Sequence, residues 1–329
     1  MMSIDRRSLL AGLGLAGLGH AARAQVQPVW PTQIIRLVVP FTPGGSTDLL
    51  ARLIANRLER TIPGKGFVIE NRPGAGGMIA ASQVAKSDPD GHTLMMGHIG
   101  TLAFNPALYP NVPYDPVKDF QPVALVAMVP NILVINPSLP ANSFQEFVAY
   151  AKANPGKLNY SSGGQGSAAH IAGAYLAHRA GFEAIHVPYR GTAPSVTDLV
   201  AGSVQFTLTG GPAVLPLAAA GQLRALGVAS SERTSFAPQL PTIAESGLPG
   251  FEAVQWYGIV APAHTPAAIV ERLNREINAL LDQPEFVAAL DRDGAIARRE
   301  TPEGFGRLIA SEGTLWRDII TRASIKGGG

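Results

Sequence analysis

The chain has 329 residues, of which 46% are hydrophobic and 15% charged, and it has 26 basic residues, 24 acidic residues and no cysteine. This composition supports well-packed cores, and the length is sufficient for two domains of ordinary size. The lack of cysteine excludes disulfides, thiolate metal sites and a lipoprotein anchor.

The first 24 residues are typical of a cleaved export signal. Arg6 and Arg7 precede an apolar stretch from Leu9 to Leu18, and Ala22–Ala24 has the A-x-A pattern of a cleavage site. The apolar stretch is too short to remain as a membrane-spanning helix. Paired arginines occur in twin-arginine signals and also in ordinary Sec signals, so both export routes stay open. We expect a mature protein that begins at Gln25 in the periplasm.

The mature chain is predicted to be electrically neutral. Residues 1–24 contain three basic side chains and one acidic side chain, which leaves 23 of each sign in the remainder. Neutrality removes the electrostatic support that a nucleic-acid partner would need. We therefore expect no nucleic-acid partner.

A strand, a glycine turn and a helix near the N-terminus form the central feature of the sequence. Ile34–Val39 is a short apolar run rich in β-branched residues, as in a buried strand. Two glycines in Pro43–Asp48 permit a tight turn, and three polar residues there can cap a helix. Leu49–Leu58 has helical apolar spacing. The positive end of such a helix, with its free N–H groups, favours an anion.

A second turn of the same design follows Leu158–Tyr160. It consists of Ser161–Ser167, with three glycines, and a predicted helix begins at Ala168. One glycine turn is weak evidence, since glycine also forms ordinary turns. Two turns of the same design in different halves of the chain favour a site in which two loops close on one small anion.

Predicted strands and helices alternate along the rest of the chain, which indicates α/β architecture with doubly wound, mostly parallel sheets. Gln121–Asn136 and Val254–Val260 are interpreted as the two crossovers between domains. Helices predicted near Pro266 and from Pro302 to about Arg322 would pack back on the first domain. The other predicted strands are Phe67–Glu70, His92–Gly97, Ala184–Tyr189, Val204–Thr209 and Leu223–Ala229.

Motifs for catalysis and metal binding are absent from the sequence. It contains no G-x-S-x-G, H-E-x-x-H or phosphate-loop pattern, and no histidines of the mature chain are spaced at i, i+4. An enzyme would need a base together with a nucleophile or metal, and neither combination is evident. We predict no catalytic residues, no metal and no cofactor.

Several single residues have both a functional and a structural interpretation. His98 follows a strand, where ligands often bind in α/β sheets, and His170 lies in the first turns of the second helix. Arg190 could pair with a carboxylate or be solvated, and Gly211 ends a predicted strand. Asp48 would repel an anion unless it points back into its own helix.

Several motifs together carry a family resemblance. Val39–Asp48 resembles the opening of the tripartite tricarboxylate transporter receptor proteins, also called the Bordetella uptake gene family. The resemblance extends over nearly all of the mature chain in the expected order. The further matching segments are Glu70–Gly77, Pro113–Pro116 with Asp119–Phe120, Tyr160–His170, His186–Pro194, Leu223–Leu226 and Pro241–Glu252.

The resemblance implies a periplasmic binding protein of the Venus flytrap type, with two α/β lobes and a hinged cleft. Lobe 1 is then expected at residues 25–125 and 255–329, and lobe 2 at 126–254. Main-chain N–H and hydroxyl groups of the two loops, with ordered water, would hold a ligand carboxylate. With the single residues above, the predicted ligand-binding set is Pro43, Gly44, Gly45, Ser46, Thr47, Asp48, His98, Ser161, Ser162, Gly163, Gly164, Gln165, Gly166, Ser167, His170, Arg190 and Gly211.

The predicted function is that of a monomeric, non-enzymatic receptor. It would bind a small organic carboxylate and pass it to the subunits of a membrane transporter. Two alternatives stay open at this point: an exported enzyme that acts on a carboxylic acid, and a receptor that feeds a membrane signalling protein. The ligand could be a dicarboxylate, a tricarboxylate, an aromatic acid or an amino acid.

Overall fold

The structure is a computed structural model that describes residues 30–292 and 294–327. The export signal predicted at residues 1–24 lies outside the described residues. All elements below belong to the unit that begins at Pro31. Within the described ranges the strands are β1 (Ile35–Val39), β2 (Phe67–Asn71), β3 (Thr93–His98), β4 (Phe120–Ile135), β5 (Asn159–Ser162), β6 (Ile185–Pro188), β7 (Phe206–Gly210), β8 (Arg224–Val228), β9 (Val254–Pro262) and β10 (Ile296–Ala297).

Helices follow most of the strands. A 3₁₀ turn at Ala75–Gly77 and a π-helical segment at Gly100–Phe104 supplement them. No helix in the described part of the chain is both long and apolar enough to cross a bilayer. The α-helices are α1 (Ser46–Thr61), α2 (Met78–Ala85), α3 (Asn105–Leu108), α4 (Phe144–Ala153), α5 (Ala168–Ala180), α6 (Thr192–Val200), α7 (Gly211–Ala219), α8 (Ala267–Leu281), α9 (Pro284–Arg292) and α10 (Pro302–Arg322).

Local chemistry accounts for the ends of several helices. The Ser143 hydroxyl caps α4 by accepting a hydrogen bond from the Glu146 N–H at 3.1 Å. Thr301 caps α10 in the same way, accepting from the Gly304 N–H at 3.0 Å. Gly181 ends α5 in the left-handed conformation, with φ of 70°, which glycine adopts without strain.

The ten strands form one sheet in the order β2-β1-β3-β9-β4-β7-β5-β6, with β8 and β10 also paired to β4. Strand β1 is parallel to both β2 and β3, and β5 is parallel to both β6 and β7. Strands β4 and β9 are antiparallel to each other. Strand β4 is also antiparallel to β7, and β9 is antiparallel to β3. The sheet is therefore mixed and not mostly parallel, because two crossover strands of opposite direction occupy its centre.

Strand β4 divides the sheet into two halves. Phe120–Pro130 pairs with β9, and Asn131–Ile135 pairs with β7 and β8. We call the strands on the β9 side, with α1–α3 and α8–α10, the first half, and the strands on the β7 side, with α4–α7, the second half. The chain passes between the halves along β4 and returns along β9.

Buried aromatic and aliphatic side chains form a core in each half. Trp256 and Phe305 belong to the first-half core, and Phe147 and Phe206 to the second-half core. Burying one such side chain contributes about 1.5–3 kcal/mol. Ile171 of α5 joins the first-half core although its helix belongs to the second half. The two halves are therefore packed together at the N-terminal turn of α5.

The sequence predicted most elements but missed some. The final helix was predicted from Pro302 to about Arg322 and runs from Pro302 to Arg322. Helix α7 was missed because Gly210, Gly211 and Pro212 suggest a strand end; Pro212 instead occupies the first turn, where its missing N–H has no cost. Helix α9 was also missed, and Pro266 caps α8 where the first helical position was expected.

Candidate functional site

The two predicted glycine loops meet on either side of a small cavity. The cavity has a volume of about 20 Å³, which is room for about one water-sized group. Both halves contribute residues, most of which carry a hydroxyl, amide or imidazole group or begin a helix. The lining residues are Phe41, Ser46, Thr47, His98, Gly163, Ser167, Ala168, Ala169, Thr192, Thr209, Gln255 and Tyr257.

Helix α1 points its N-terminus at the cavity. Its cap residue is Gly45, whose carbonyl accepts hydrogen bonds from the N–H groups of Asp48 and Leu49, both at 3.0 Å. Among the described residues, no acceptor bonds the N–H groups of Ser46 and Thr47. These are the first two N–H groups of a helix, which lack intrahelical partners and lie at its positive end.

Helix α5 approaches the cavity from the second half in the same way. Ser167 is its cap, accepting from the N–H groups of His170 at 3.4 Å and Ile171 at 3.2 Å. The N–H groups of Ala168 and Ala169 have no acceptor in the described part of the chain. Two helices from opposite halves thus direct four free N–H groups at one small space, an arrangement suited to an anion.

Asp48 lies in the first loop but points back into its own half. Its carboxylate accepts from the Gly44 N–H at 2.9 Å, from Arg52 at 3.0 Å and from Asn71 at 2.9 Å. Burial alone would raise the pKa of this carboxyl, but those hydrogen bonds and the Arg52 charge outweigh it, and the pKa is lowered. The charge is satisfied within the first half, so Asp48 shapes the loop without opposing an anion directly.

A buried hydrogen-bond network lies under the first-half wall of the cavity. The Gly100 N–H donates to His98 Nδ1 at 3.0 Å, so the imidazole proton is assigned to Nε2, which lies 3.2 Å from Gln255 Oε1. The Tyr257 hydroxyl donates to the same Gln255 oxygen at 2.6 Å. The Gln255 amide donates in turn to Asn131. Gln255 therefore holds both the His98 ring and the Tyr257 hydroxyl in position.

The ionisable groups of this network are neutral. Burial lowers the pKa of His98 to about 4, against an ordinary value of 6.5. Burial also raises the pKa of Tyr257, although hydrogen bonds with Thr47 and Ser46 oppose this. No lining residue of the cavity is an Arg, Lys, Asp or Glu. An anion at this place would be held by neutral donors and by the two helix ends.

Two stacked histidines make hydrogen bonds with the second loop. The rings of His170 and His186 lie 4.0 Å apart, and His170 Nδ1 accepts from the Gly166 N–H at 3.2 Å. His186 Nε2 lies 2.6 Å from the Ser162 hydroxyl oxygen, which accepts from the Gly164 N–H at 3.1 Å. Burial lowers the pKa of His170 to about 4, and burial with the His170 charge lowers that of His186 to about 3. Both rings hold the loop without lining the cavity.

The structure brings part of the predicted site together. Ser46, Thr47, His98, Gly163 and Ser167 line the cavity. Two predicted residues neither line the cavity nor belong to the two loops: the Arg190 side chain is exposed, and Gly211 packs against Gly294. The remaining predicted residues belong to the two loops or support them without lining the cavity, and they are Pro43, Gly44, Gly45, Asp48, Ser161, Ser162, Gly164, Gln165, Gly166 and His170.

Four polar lining residues were not predicted. Gln255 and Tyr257 lie on β9, Thr209 on β7 and Thr192 at the start of α6. The sequence signal that could have found Gln255 is a polar residue within an otherwise apolar run. In the structure Gln255 is buried, with only 4% of its surface exposed. That signal marks a buried polar group but does not say which group it faces.

Comparison with known proteins identifies relatives over nearly the whole chain. Residues 50–325 match the family described as "Tripartite tricarboxylate transporter family receptor". The UPF0065 protein in the tcbD-tcbE intergenic region of a Pseudomonas sp. is 41% identical over 321 residues, covering 97% of this chain and 95% of that protein.

Two similar solved structures were determined with an organic acid. "R. palustris Rpa4515 with adipate" is 40% identical with a TM-score of 0.88, covering 90% of this chain and 99% of that one. MatC (Rpa3494) from Rhodopseudomonas palustris, with bound malate, is 36% identical with a TM-score of 0.84, covering 88% of this chain and all of that one, 100%. The shared fold is that of a two-lobed solute-binding protein.

We predict that His98, His170 and His186 stay neutral well below pH 6. An unfolded histidine takes up a proton near pH 6.5, whereas these three do so only near pH 4 or below. Between those values the unfolded state binds more protons, so the free energy of unfolding should fall as the pH falls from about 6.5 to about 4.

Nuclear magnetic resonance (NMR) of ¹⁵N-labelled histidine side chains tests this. The three rings should keep neutral-tautomer signals down to about pH 5, whereas the same rings in urea-unfolded protein should titrate near 6.5. Titration of His98 near 6.5 in the folded protein would show that its network is not formed as described.

Proposed function

Since this chain belongs to the tripartite tricarboxylate transporter receptor family, we propose that it is a periplasmic receptor that binds a small organic carboxylate between its two halves and delivers it to membrane transporter subunits. Proteins of this family are receptors and not enzymes, so binding without chemical change is the activity to be explained. The observation that carries the carboxylate proposal is the convergence of four free helix N-terminal N–H groups on one neutral, buried cavity.

A carboxylate fits this cavity chemically. Its two oxygens can accept from Ser46 and Thr47 on one side and from Ala168 and Ala169 on the other, and both helix dipoles favour its charge. Hydrogen bonds from an N–H group to a carboxylate are charge-assisted and each contributes about 1.5–3 kcal/mol. The adipate and malate of the two similar structures support this class of ligand.

Binding requires the cleft to open and close. A cavity of about 20 Å³ holds little more than one water-sized group, so an organic acid must enter while the halves are apart. We propose that lobe 1 comprises residues 25–125 and 255–329, that lobe 2 comprises 126–254, and that β4 and β9 contain the hinge. A ligand that contacts both lobes only in the closed form shifts the protein toward that form.

The proposed binding residues follow from this geometry. The loops Pro43–Asp48 and Ser161–Ser167 supply N–H and hydroxyl groups, and His98 and His170 keep the walls in place. Arg190 and Gly211 are left out because neither of them lines the cavity. The polar wall residues added are Thr192, Thr209, Gln255 and Tyr257. We propose that the receptor acts as a monomer.

We predict binding without turnover. Adipate, malate and a panel of other carboxylates are screened by thermal shift, and one of them at about a hundred times its Kd should stabilise the fold by roughly 2.7 kcal/mol. After long incubation, mass spectrometry should recover that compound unchanged. A new product would favour an enzyme, and failure of every carboxylate to stabilise the fold would contradict the proposal.

Two variants serve as a matched comparison within that experiment. Gly45→Val places its side chain next to Thr192, where an added Cβ already lies 3.3 Å from Thr192 Cβ, and should weaken binding by roughly a hundredfold through loss of amide contacts. Arg190→Ala should bind like the parent, because Arg190 is exposed. The opposite pattern would indicate a cationic clamp in place of the helix ends.

We predict cleavage of the chain after Ala24. Arg6 and Arg7, the apolar stretch and the A-x-A pattern motivate this. N-terminal sequencing of periplasmic protein should begin at Gln25, and retention of Met1 on functional protein would contradict it. If Arg6→Lys with Arg7→Lys leaves export intact, the route is Sec and not twin-arginine.

A further inference from the structure

We propose that closure of the cleft is opposed by three buried polar atoms without hydrogen-bond partners, so that the ligand-free receptor rests open and Thr42, Asn105 and Gln165 set ligand affinity without lining the cavity. The effect on affinity rests on the proposed function. The effect on the open–closed equilibrium does not depend on any ligand.

Thr42 lies where the first loop meets the start of α6. A Cβ added to Gly191 would lie 1.8 Å from the Thr42 hydroxyl oxygen, so the two backbones approach as closely as a glycine allows. The hydroxyl oxygen is buried and has no hydrogen-bond partner among the described residues. Gly191 belongs to the second half, so it is closure of the cleft that covers this hydroxyl.

Asn105 is a second first-half residue whose side chain meets a glycine of the second half. Its amide nitrogen donates to the Gly76 carbonyl at 3.0 Å, which fixes the side chain within the first half. Its Oδ1 atom faces Gly166 of the second loop, where an added Cβ would lie 2.0 Å away, and no donor in the described ranges reaches it. Here too a glycine of the second half covers a polar atom of the first.

Gln165 supplies the third atom, from the second half. Its backbone carbonyl is so near Gly76 that an added Cβ there would lie 2.2 Å from it. Its side-chain Oε1 is buried and unpaired within the described part of the chain. Gln165 therefore adds a buried, unpaired polar atom in a second-half loop whose backbone lies against the first half.

The contacts across the cleft supply no compensating hydrogen bonds. Among the described residues, no hydrogen bond crosses the cleft between these segments. The first-half segments are Thr42–Ser46, Gly74–Gly77 and Asn105, and the second-half segments are Ser161–Ser167 and Tyr189–Ala193. In the open form water can bond each of the three atoms, and in the closed form no described residue takes its place. A buried polar group without a partner costs free energy, so the closed form is disfavoured until a ligand bonds both loops.

The test measures the open–closed equilibrium without ligand. The chain has no cysteine, so Leu49→Cys on α1 and Thr197→Cys on α6, both at exposed positions on opposite halves, give the mature protein two unique spin-label sites. Pulsed electron resonance then reports the distance between the halves. In the labelled parent the long, open distance should dominate.

Thr42→Val removes the unpaired hydroxyl and keeps the side-chain shape. It should raise the ratio of closed to open protein about tenfold, which corresponds to 1.4 kcal/mol. Affinity for whichever panel carboxylate binds the parent should rise by up to the same factor. The matched control is Thr234→Val, because Thr234 has a buried, unpaired hydroxyl outside these loops. It should leave the distances unchanged.

Three results would overturn the inference: a parent that is mostly closed without ligand, a folded Thr42→Val protein with the distances of the parent, or an equal shift in Thr234→Val. Circular dichroism checks that each variant is folded. Because no ligand enters the distance measurement, its failure is distinct from failure of the carboxylate proposal, which shows only in the binding screen.

Discussion

Under the proposed function, a negative charge enters a buried space whose lining has no positive side chain. Burial of a carboxylate is costly unless each oxygen is hydrogen-bonded. The four free N–H groups at the starts of α1 and α5 meet that requirement, and the two helix dipoles add a favourable field. Much of the nearby structure keeps this space neutral. Asp48 is turned away by Arg52 and Asn71, His98 is held uncharged, and Gln255 fixes the Tyr257 hydroxyl.

The same requirement accounts for the division of the protein into two halves. One helix end comes from each half, so in the proposed hinge motion the full set of donors would come together only on closure. The crossover strands β4 and β9 connect the halves, and the proposed hinge lies in them. Because Thr42, Asn105 and Gln165 lose water on closure and gain no partner, the ligand must supply the bonds that make closure favourable. Affinity then depends on residues that lie beside the ligand and not only on those that touch it.

Local signals predicted the two loops, and tertiary register determined the rest of the cavity. Glycines next to cap residues after Ile34–Val39 and Leu158–Tyr160 mark helix starts, because caps and turns depend on near neighbours. The position of Gln255 could not be read in this way: it reaches His98 only because β9 pairs antiparallel with β3, which sets His98 opposite Tyr257. Arg190 was included for its charge alone, and the fold directs it to solvent. Helix α7 was missed because its Gly–Gly–Pro start also fits a strand end.

The central claim is that amides from both helix ends hold one carboxylate, and an amide NMR titration tests it most directly. Uniformly ¹⁵N-labelled mature protein is titrated with the carboxylate that the screen identifies, and the amides of Ser46, Thr47, Ala168 and Ala169 are followed. All four amides should shift downfield together and saturate at one Kd, because each N–H group gains a charged acceptor. Shifts confined to one helix start, or four unmoved amides with a large change at an arginine side chain, would contradict it.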